Sequence, residues 1–313
     1  MTEPTRETTV RDWLARRSYR AEDFPLARLR ELRAGAGGRV SVVLPTREVA
    51  TTIGPILERL VPLREAGVVD ELVVVDAASS DGTAEVAAAG GARVVQESSL
   101  LPEHGPARGK GDALWRSLAA TDGELVVFLD SDTEGFDDRF LRGLLGPLLA
   151  EPQVAFVKGA FRRPFKLGDT TVPDGGGRVT ELVARPLLNL HAPQLAGFVQ
   201  PLAGEFAGRR TLLEQLSFPV GYGVEIATLI DACRLAGLDA LAQVDLGERQ
   251  NRHQPLRALS AMAYAVMVAA ERRFGRPELD PGALLLPLDG DVEPRQVPVQ
   301  ERPPLASLRR EAA

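Results

Sequence analysis

Cysteine, histidine and long apolar segments are scarce in this sequence of 313 residues. The single cysteine, Cys233, excludes an internal disulfide framework and a thiolate metal cluster, and it fits a reducing compartment. Three histidines argue against a histidine-rich zinc site. No segment of about 18 consecutive apolar residues occurs, and the Arg-rich N-terminus has no apolar core of a signal peptide. We therefore expect a cytoplasmic protein that does not bind membranes.

The charge balance also excludes a class of partner. The chain has 37 Lys and Arg residues against 43 Asp and Glu residues, a formal net charge of −6, and no long basic block. Because nucleic acids are held through many phosphate contacts, this balance argues against a nucleic-acid partner. An anionic ligand must instead meet a local basic pocket. With 44% hydrophobic residues the chain can bury a sizeable core.

From Arg39 onward, short apolar segments alternate with amphipathic ones. The first half contains predicted strands at 40–44, 71–76, 92–96 and 124–129, and predicted helices at 51–65, after the turn 80–83, and at 111–120. The second half contains predicted strands at 154–161 and 241–246, and predicted helices at 179–190, 224–235 and 258–274. The alternating order predicts an α/β fold with an open, mostly parallel sheet and helices on both faces.

Polar residues follow three of the predicted strands, in the segments 45–48, 76–79 and 130–132. In open α/β sheets, ligands bind beyond the carboxyl ends of the strands. Asp130 and Asp132 follow an apolar strand, where two carboxylates are costly unless a cation or hydrogen-bond donors satisfy them. Their oxygens suit Mg²⁺ or Mn²⁺ holding a diphosphate, and the alternative is a solvated turn.

Several common nucleotide-binding and hydrolytic motifs are absent from the sequence. No G-x-G-x-x-G follows the first strand, there is no P-loop, and there is no G-x-S-x-G, which argues against a nicotinamide dehydrogenase, a P-loop enzyme and a serine hydrolase. Lys110 lies between two glycines at a predicted helix start, where it and backbone N–H groups could meet phosphate. The alternative for Lys110 is a solvated surface position.

Three segments of the second half offer further polar groups. The glycines at 175–177 precede Arg178, which suits a carboxylate or phosphate of an acceptor, or else forms a hinge with an exposed arginine. Glu225 lies in the first turn of a predicted helix, as a catalytic acid or as a surface acid favoured by the helix dipole. The polar segment 249–254 could supply one more metal ligand and cations against a leaving diphosphate.

Seven segments together resemble the nucleotide-sugar transferases of the GT-A fold, and within them the glucosyl-3-phosphoglycerate synthase family of actinobacteria. They are V-S-V-V-L-P, V-D-E-L-V-V-V-D, G-K-G-D-A-L-W-R-S-L-A-A-T, D-S-D, G-G-G-R-V-T-E-L-V-A-R-P-L-L, Q-P-L-A-G-E and G-Y-G-V-E-I, between about Val40 and Leu256. The resemblance implies retaining transfer of a hexose from a sugar nucleotide to the hydroxyl of 3-phosphoglycerate. It also implies a divalent cation, Mg²⁺ or Mn²⁺.

The same resemblance assigns roles to individual residues. It implies catalytic roles for Glu225, Lys110 and Arg249, with Asp132 as a metal ligand. The donor-binding residues are expected to be Pro45, Thr46, Arg47, Glu48, Asp76, Ala77, Lys110, Asp130, Ser131, Leu202 and Tyr222. The acceptor-binding residues are expected to be Gly177, Arg178, Val179, Thr180 and Asn251.

The chain is expected to divide into three parts. Residues 1–37 form an N-terminal arm that ends in a hinge, and residues 257–313 form a C-terminal helix and a poorly packed tail. Between them lies the GT-A domain, with its donor half at 38–132 and its acceptor half at 133–256.

The sequence departs from the family pattern at two places. The first two strand ends read P-T-R-E-V-A and D-A-A-S, where the family has P-A-L-N-E-E and D-S-G-S, and both loops are expected to face the nucleobase and ribose. The family's H-R-N reads Asn251-Arg252-His253, so the second metal ligand is Asn251 by position or His253 by chemistry, and we place His253 first.

These departures leave alternatives for the donor and for the function. UDP-glucose is the first choice of donor, and GDP-mannose is the alternative because the loop changes predict a less strict preference for uridine. A sugar-1-phosphate nucleotidyltransferase and a non-catalytic binding module are more remote alternatives. We also expect the protein to form a homodimer and its product to serve in the formation of a compatible solute.

Overall fold

A mixed sheet organises the computed structural model, which describes residues 5–167, 170–172, 176–249, 255–288 and 290–311. The strands are β1 (Ser18–Arg20), β2 (Val40–Thr46), β3 (Glu71–Asp76), β4 (Arg93–Gln96), β5 (Leu125–Phe128), β6 (Phe156–Arg162), β7 (Phe165–Leu167), β8 (Thr170–Val172), β9 (Phe206–Arg209), β10 (Phe218–Pro219), β11 (Leu241–Glu248), β12 (Leu284–Leu288), β13 (Asp291–Arg295) and β14 (Glu301–Arg302). The α-helices are α1 (Arg6–Arg17), α2 (Leu26–Ala36), α3 (Ala50–Glu65), α4 (Thr83–Ala89), α5 (Lys110–Ser117), α6 (Arg139–Ala150), α7 (Arg185–His191), α8 (Arg210–Leu213), α9 (Val224–Ala236), α10 (Leu256–Arg273) and α11 (Leu305–Glu311).

Eight of these strands form the main sheet, in the order β1-β11-β6-β9-β5-β2-β3-β4. Neighbouring strands pair in parallel except at β9, which runs antiparallel to both β5 and β6. The mostly parallel α/β sheet expected from the sequence is therefore confirmed. Because β9 runs the other way, its N-terminal end lies at the edge where the parallel strands have their carboxyl ends.

Helices cover both faces of the sheet, as a parallel sheet requires. On one face α3 buries Ile53, Ile56, Leu57, Leu60 and Leu63 at helical spacing, and α6 packs into the same core. On the other face α5, α9 and α10 contribute to a second core that includes Trp115. The strands between these layers are apolar on both sides, which is why they appear in the sequence as continuous apolar segments.

The N-terminal segment differs from the arm expected from the sequence. Trp13 in α1 is completely buried, and its indole N–H donates a hydrogen bond of 3.0 Å to the Leu241 carbonyl oxygen. β1 extends the main sheet by pairing with β11, and Leu29 of α2 is completely buried. Scattered apolar residues in a charged segment gave no sign of this, because the hydrogen-bond partner of Trp13 lies 228 residues away in the sequence.

The C-terminal segment is also packed, so the expectation of a poorly packed tail is wrong for its described residues. β12 pairs with β13, and β14 pairs with β10. The Trp115 indole N–H donates a hydrogen bond of 2.8 Å to the Pro303 carbonyl oxygen, and Leu305 is buried. These strands of two to five residues are too short to show a hydrophobic period. The domain boundaries at 37/38 and 256/257 stay a prediction.

Further elements differ from the sequence prediction, among them α6, a helix of 12 residues in a segment for which no element was predicted. The helix predicted at 179–190 is a π-helical turn, Thr180–Ala184, followed by α7. β9 was not predicted, because four residues between glycine-containing segments look like a loop. The other predicted elements are confirmed, with ends that shift by a few residues. None of the described helices is long and apolar enough to cross a membrane.

Candidate active site

Charged side chains from distant parts of the chain meet at the carboxyl edge of the main sheet. Asp130 follows β5, Arg249 follows β11, and Glu205 precedes the antiparallel strand β9. Lys110 begins α5, and Glu225 lies in the first turn of α9. We call these five residues, with Asp132, the edge cluster. Its position agrees with the general location of ligand sites in open α/β sheets.

Asp130 holds two cations of the edge cluster. Its carboxylate accepts a hydrogen bond of 2.5 Å from Lys110 Nζ and lies 2.9 Å from a guanidinium nitrogen of Arg249. Burial alone would raise the pKa of Asp130, but the attraction of Lys110 and Arg249 outweighs it and holds the pKa below its ordinary value. Asp130 is therefore an anion that orients two cations at the sheet edge.

Lys110 lies between Asp130 and Glu225, whose carboxylate is 3.1 Å from Lys110 Nζ. Burial works to lower the pKa of Lys110, whereas Asp130 and Glu225 raise it above its ordinary value, so the ammonium stays charged. A Cβ at Gly204 would overlap both Lys110 Nζ and the Asp130 carboxylate. A glycine at position 204 is therefore required for this close approach. The expectation of a lysine at a helix start is confirmed, but the side chain is held by two acids.

Arg249 connects three carboxylates at the sheet edge. Its guanidinium lies 2.9 Å from Asp130, 3.1 Å from Asp132 and 2.5 Å from Glu205. The residue is 3% exposed. Burial opposes its charge, but Glu205, Asp130 and Asp132 raise the pKa of Arg249 above its ordinary value. This fixed cation is suited to stabilising negative charge on a leaving diphosphate.

Two buried charged residues at this edge escaped the sequence analysis. Burial raises the pKa of Glu205 despite Arg249, and the 2.5 Å contact between the two is an ion pair in which neither Glu205 oxygen accepts a well-aligned hydrogen bond from the described residues. Lys158 of β6 is completely buried, donates a hydrogen bond of 3.4 Å to the Glu225 carbonyl oxygen, and lies 5.2 Å from the centre of the Phe206 ring. Burial lowers the pKa of Lys158 to about 8, against the attraction of Glu225.

The sequence contained a signal for both Glu205 and Lys158. A lysine within an otherwise apolar predicted strand, as at Lys158, indicates a buried charge that needs a partner. Glu205 ends the Q-P-L-A-G-E segment, but only the antiparallel direction of β9 brings it to the site.

Asp132 offers an oxygen ligand for a divalent cation at the mouth of the edge cluster. Its side chain is 64% exposed, and one carboxylate oxygen accepts a hydrogen bond from Arg249. Among the described residues, no group of three or more His, Cys, Asp or Glu side chains is arranged to hold a metal ion. Mg²⁺ is commonly bound by one or two carboxylates together with substrate phosphates, so an exposed carboxylate beside fixed cations fits such an ion. The second expected ligand, His253 or Asn251, lies outside the described residues.

The two loops expected to face the nucleobase and ribose are tied to each other. The Asp76 carboxylate accepts hydrogen bonds from Thr46 Oγ1 at 3.0 Å and from Ser79 Oγ at 2.6 Å. Burial opposes ionisation of Asp76, but the hydrogen bonds from Ser79, Gln96 and Thr46 lower its pKa. The Glu48 carboxylate accepts a hydrogen bond of 2.8 Å from the Ser80 backbone N–H, so it braces the second loop.

The remaining expected donor residues surround the same edge. Ser131 Oγ donates a hydrogen bond of 2.5 Å to the Pro45 carbonyl oxygen, and the Ala77 N–H donates one of 3.0 Å to Thr46. Arg47 is exposed, Tyr222 is 50% exposed and Leu202 is partly buried. Each therefore has a defined place in the fold, and their contacts with a donor stay a prediction.

The expected acceptor segment lies next to Arg163, whose charge interacts with that of Arg249 in the edge cluster, and it leads into the π-helical turn. Gly177 has a φ of 70°, a left-handed conformation that favours glycine, and its carbonyl oxygen accepts a hydrogen bond of 3.0 Å from the Glu181 N–H. Val179 and Thr180 are 7% and 2% exposed, so of the three residues 178–180 Arg178 has the accessible side chain. The Gly176 N–H donates a hydrogen bond of 2.9 Å to the Arg163 carbonyl oxygen.

The chain is similar to known glycosyltransferases. Residues 41–198 match the model of the glycosyl transferase family 2. Glucosyl-3-phosphoglycerate synthase of Mycolicibacterium smegmatis is 45% identical over 300 residues, which cover 95% of this chain and 98% of that protein. The corresponding synthase of Petrotoga mobilis is 38% identical over 312 residues, which cover 96% of each chain.

Two crystal structures show the same similarity. Mannosyl-3-phosphoglycerate synthase from Rubrobacter xylanophilus has a TM-score of 0.86 and 44% identity, with coverage of 95% of this chain and 99% of that chain. Glucosyl-3-phosphoglycerate synthase from Mycobacterium tuberculosis, in complex with Mn²⁺, UDP-glucose and phosphoglyceric acid, has a TM-score of 0.81 and 44% identity, with coverage of 91% and 95%.

Proposed function

Because this chain belongs to the family 2 glycosyltransferases and, within them, to the glucosyl-3-phosphoglycerate synthases, we propose that its edge cluster binds the diphosphate of a sugar nucleotide. The chain is a glycosyltransferase that transfers glucose from UDP-glucose to 3-phosphoglycerate and gives glucosyl-3-phosphoglycerate, with a divalent metal cofactor. The observation that carries this conclusion is the 44% identity, over 91% of the chain, to a synthase crystallised with Mn²⁺, UDP-glucose and phosphoglyceric acid.

The edge cluster supplies what the departure of a nucleoside diphosphate needs. In the transfer, the bond between the sugar C1 and the β-phosphate oxygen breaks, and C1 forms a bond to the acceptor hydroxyl oxygen. Negative charge builds on the leaving diphosphate while the sugar becomes oxocarbenium-like. Lys110 and Arg249 are held as cations by Asp130, so they need little reorganisation to stabilise that charge. A bound Mg²⁺ or Mn²⁺ adds Lewis-acid stabilisation, with Asp132 as its proposed ligand.

We propose front-face transfer with retention of configuration at C1. The proton of the acceptor hydroxyl passes to the departing phosphate oxygen, so no side-chain base is required. Glu225 is 3.1 Å from Lys110 Nζ, an ion pair that suits a group which orients the sugar or acceptor. In the alternative mechanism, a covalent intermediate on Glu225, the carboxylate would have to leave this ion pair and attack C1.

We propose that Arg178 and the backbone around Gly177 bind the acceptor. An arginine offers two parallel N–H groups to a carboxylate or phosphate, and a glycine with positive φ lets the backbone approach the ligand closely. The Arg178 side chain is the accessible one of its segment. The roles of Asn251 in acceptor binding and of His253 in metal binding stay proposals, since both residues lie outside the described part of the chain.

GDP-mannose is the second candidate for the donor substrate. The observation in its favour is the match to a mannosyl-3-phosphoglycerate synthase, with a TM-score of 0.86. A competition assay with UDP-glucose, GDP-glucose and GDP-mannose, each with 3-phosphoglycerate and Mg²⁺ or Mn²⁺, tests both candidates. We expect preferred use of UDP-glucose with measurable use of GDP-glucose. Exclusive use of GDP donors would overturn the assignment of UDP-glucose, and exclusive use of UDP-glucose would refute a relaxed choice of base.

We further propose a homodimer that acts in the cytoplasm and makes the precursor of a compatible solute. Leu182 and Leu190 are 71% and 72% exposed in one helical segment and offer apolar surface to a second copy. Sedimentation velocity of the purified protein tests the dimer, and a monomer at micromolar concentration would contradict it.

A further inference from the structure

The C-terminal residues 300–303, which we call the strap, contact α5 and the segment before α9, the two helices whose first turns carry Lys110 and Glu225 of the edge cluster. β14 within the strap pairs antiparallel with β10, which immediately precedes the loop that leads to Glu225. The Gln300 carbonyl oxygen accepts a hydrogen bond of 2.9 Å from the Val220 N–H. The Val220 carbonyl oxygen in turn accepts one of 3.0 Å from the Gly111 N–H, next to Lys110. A continuous series of backbone hydrogen bonds therefore connects the strap to the start of α5.

Arg302 fixes the first turn of α5 through Asp112. Its guanidinium donates two hydrogen bonds to the Asp112 carboxylate, of 2.9 Å from Nε and 2.6 Å from a terminal nitrogen. The Asp112 side chain is completely buried, and it also accepts hydrogen bonds from Arg116 Nε and the Arg108 N–H. Without Arg302 the buried carboxylate would keep Arg116 as its counter-charge but lose its bidentate partner, so Arg302 contributes to the position of α5.

The neighbouring residue, Glu301, fixes the other side of the strap. Its two carboxylate oxygens accept hydrogen bonds of 3.0 Å and 3.1 Å from the Arg273 guanidinium at the end of α10. Arg273 Nε also donates a hydrogen bond of 2.8 Å to Asp231 in α9, the helix whose first turn carries Glu225. Adjacent residues of opposite charge on β14 are therefore connected to the two helices whose first turns supply Lys110 and Glu225: Arg302 to α5 directly, and Glu301 to α9 through Arg273.

Packing around the strap leaves little room for independent movement of α5. A Cβ at Gly111 would overlap the Pro219 carbonyl oxygen of β10. The Arg302 guanidinium lies 5.6 Å from the centre of the Trp115 ring, and it donates a hydrogen bond of 2.5 Å to the His104 carbonyl oxygen in the loop before α5. The strap thus holds together three neighbouring elements: the loop before α5, α5 itself and β10.

We propose that Arg302 is a positioning residue for glycosyl transfer, which acts by holding Lys110 in the geometry that binds the donor diphosphate. The proposal rests on the proposed role of Lys110 in donor binding. Arg302 reaches no residue of the edge cluster directly, and its effect passes through Asp112 and the first turn of α5. It therefore acts on the donor side of the reaction, whereas the acceptor segment around Gly177 keeps its own contacts.

The test is a double-mutant cycle on Lys110 and Arg302 in the full-length enzyme. UDP-glucose binding with Mn²⁺ is measured by calorimetry, and kcat and both KM values are measured for Lys110→Met, Arg302→Met and the double variant. We expect Arg302→Met to weaken UDP-glucose binding by about tenfold or more while the KM for 3-phosphoglycerate changes little. In the Lys110→Met background, Arg302→Met should have almost no further effect on donor binding, because the group through which it acts is gone.

Two further variants separate positioning from general destabilisation. Arg17→Met removes another largely buried arginine, which lies 2.5 Å from Glu151 in the N-terminal part of the fold, and it should lower the melting temperature without changing donor affinity. Arg302→Lys keeps the charge but loses the two-point contact, so it should recover part of the donor affinity.

The outcomes distinguish this proposal from the proposed function. If Lys110→Met itself leaves UDP-glucose binding unchanged, the assignment of Lys110 to the donor site fails. If Lys110→Met weakens donor binding but Arg302→Met, assayed well below its melting temperature, does not, the positioning role is refuted. Fully additive effects in the double variant would refute it as well, since they would show that Arg302 acts independently of Lys110.

Discussion

Glu205 and Arg249 form an ion pair of 2.5 Å in which both side chains are 1% exposed. Arg249 follows β11, and Glu205 immediately precedes β9, the antiparallel strand of the main sheet. Burial raises the pKa of Glu205 in spite of Arg249, so the folded protein carries this carboxylate at a cost. A charge that is costly to bury and adjoins a cluster of cations is more readily explained by catalysis than by stability.

Glu205→Gln should separate stability from activity. The amide has the same shape and is cheaper to bury, so we expect a melting temperature equal to or above that of the parent. Since Arg249 loses one of its three carboxylate partners, kcat should fall by about tenfold or more. The matched control is Glu151→Gln, which removes a carboxylate 2.5 Å from Arg17 and should leave kcat unchanged. Parent-like turnover of Glu205→Gln would refute a functional role for the carboxylate.

Asp132→Ala should abolish dependence on the metal together with most of the activity. Asp132 is an exposed carboxylate of the edge cluster and the proposed ligand for Mg²⁺ or Mn²⁺, so its loss should reduce kcat by about 10² or more. Manganese titration followed by electron paramagnetic resonance, with UDP present, measures the loss of binding directly. Asp122→Ala, at a carboxylate 79% exposed at the opposite end of the strands, is the control. Full activity of Asp132→Ala, or of the parent enzyme in EDTA, would contradict the assignment.

Arg178→Ala should impair the acceptor side of the reaction. Because a bidentate arginine contact to an anion is worth about 1.5–3 kcal/mol, the KM for 3-phosphoglycerate should rise by roughly 10 to 100-fold. The KM for UDP-glucose should change much less, and Arg178→Lys should recover only part of the loss. Arg185→Ala removes a nearby arginine that pairs with Glu181 and serves as the control. Equal changes in both KM values would place Arg178 outside the acceptor site.

Glu97 should make stability depend on pH. Burial, followed by the charge of Asp112, raises the pKa of Glu97 from 4.5 to about 7, although Arg116, Arg47 and Arg302 oppose the shift. The folded protein therefore binds this proton more tightly than the unfolded chain, and the free energy of unfolding falls as the pH rises from about 4.5 to about 7.

Glu97→Gln removes this ionisation. The variant and the parent should melt at similar temperatures at pH 5, and the variant should melt at the higher temperature at pH 8. Thermal unfolding followed by circular dichroism measures the difference. Glu103→Gln, at a side chain 63% exposed, should show no such divergence. A gap between Glu97→Gln and the parent that does not widen with pH would show that Glu97 titrates normally.

The donor half of the fold could be predicted because its signals are local. β3 has the predicted bounds 71–76, and the neighbouring strands and helices of this half differ by a few residues at their ends. Each of these elements is an apolar segment or an amphipathic helix between turn residues, so neighbours in sequence determine it. The carboxylates at the end of β5 were predicted for the same reason.

Apart from the amphipathic helix α6, the elements that sequence analysis missed depend on distant partners. Trp13 is buried because α1 packs beside β11, and Arg302 is ordered by Asp112, 190 positions away. β9 carries four residues, and only its neighbours β5 and β6 make it a strand. Local patterns contain no information about such contacts, which is why the positions of Glu205 and Arg302 were not recognised, whereas Lys158 had a local signal, a lysine within an apolar strand, that was overlooked. Among the expected site residues, Asn251 and His253 lie outside the described part of the chain, and the roles of the others stay predictions.

The wide separation of Arg302 and Asp112 along the chain has a consequence for the order of synthesis. A nascent polypeptide that has emerged only as far as β11 already contains Lys110, Asp130 and Glu225, but of the two arginines that pair with the buried Asp112 carboxylate it contains Arg116 and lacks Arg302. Contacts between residues so distant in sequence form late, because the loop that joins them must be closed first. With the proposed role of Arg302, the donor site is completed only after residue 302 has emerged from the ribosome, and shorter ribosome-bound intermediates are expected to bind UDP-glucose weakly.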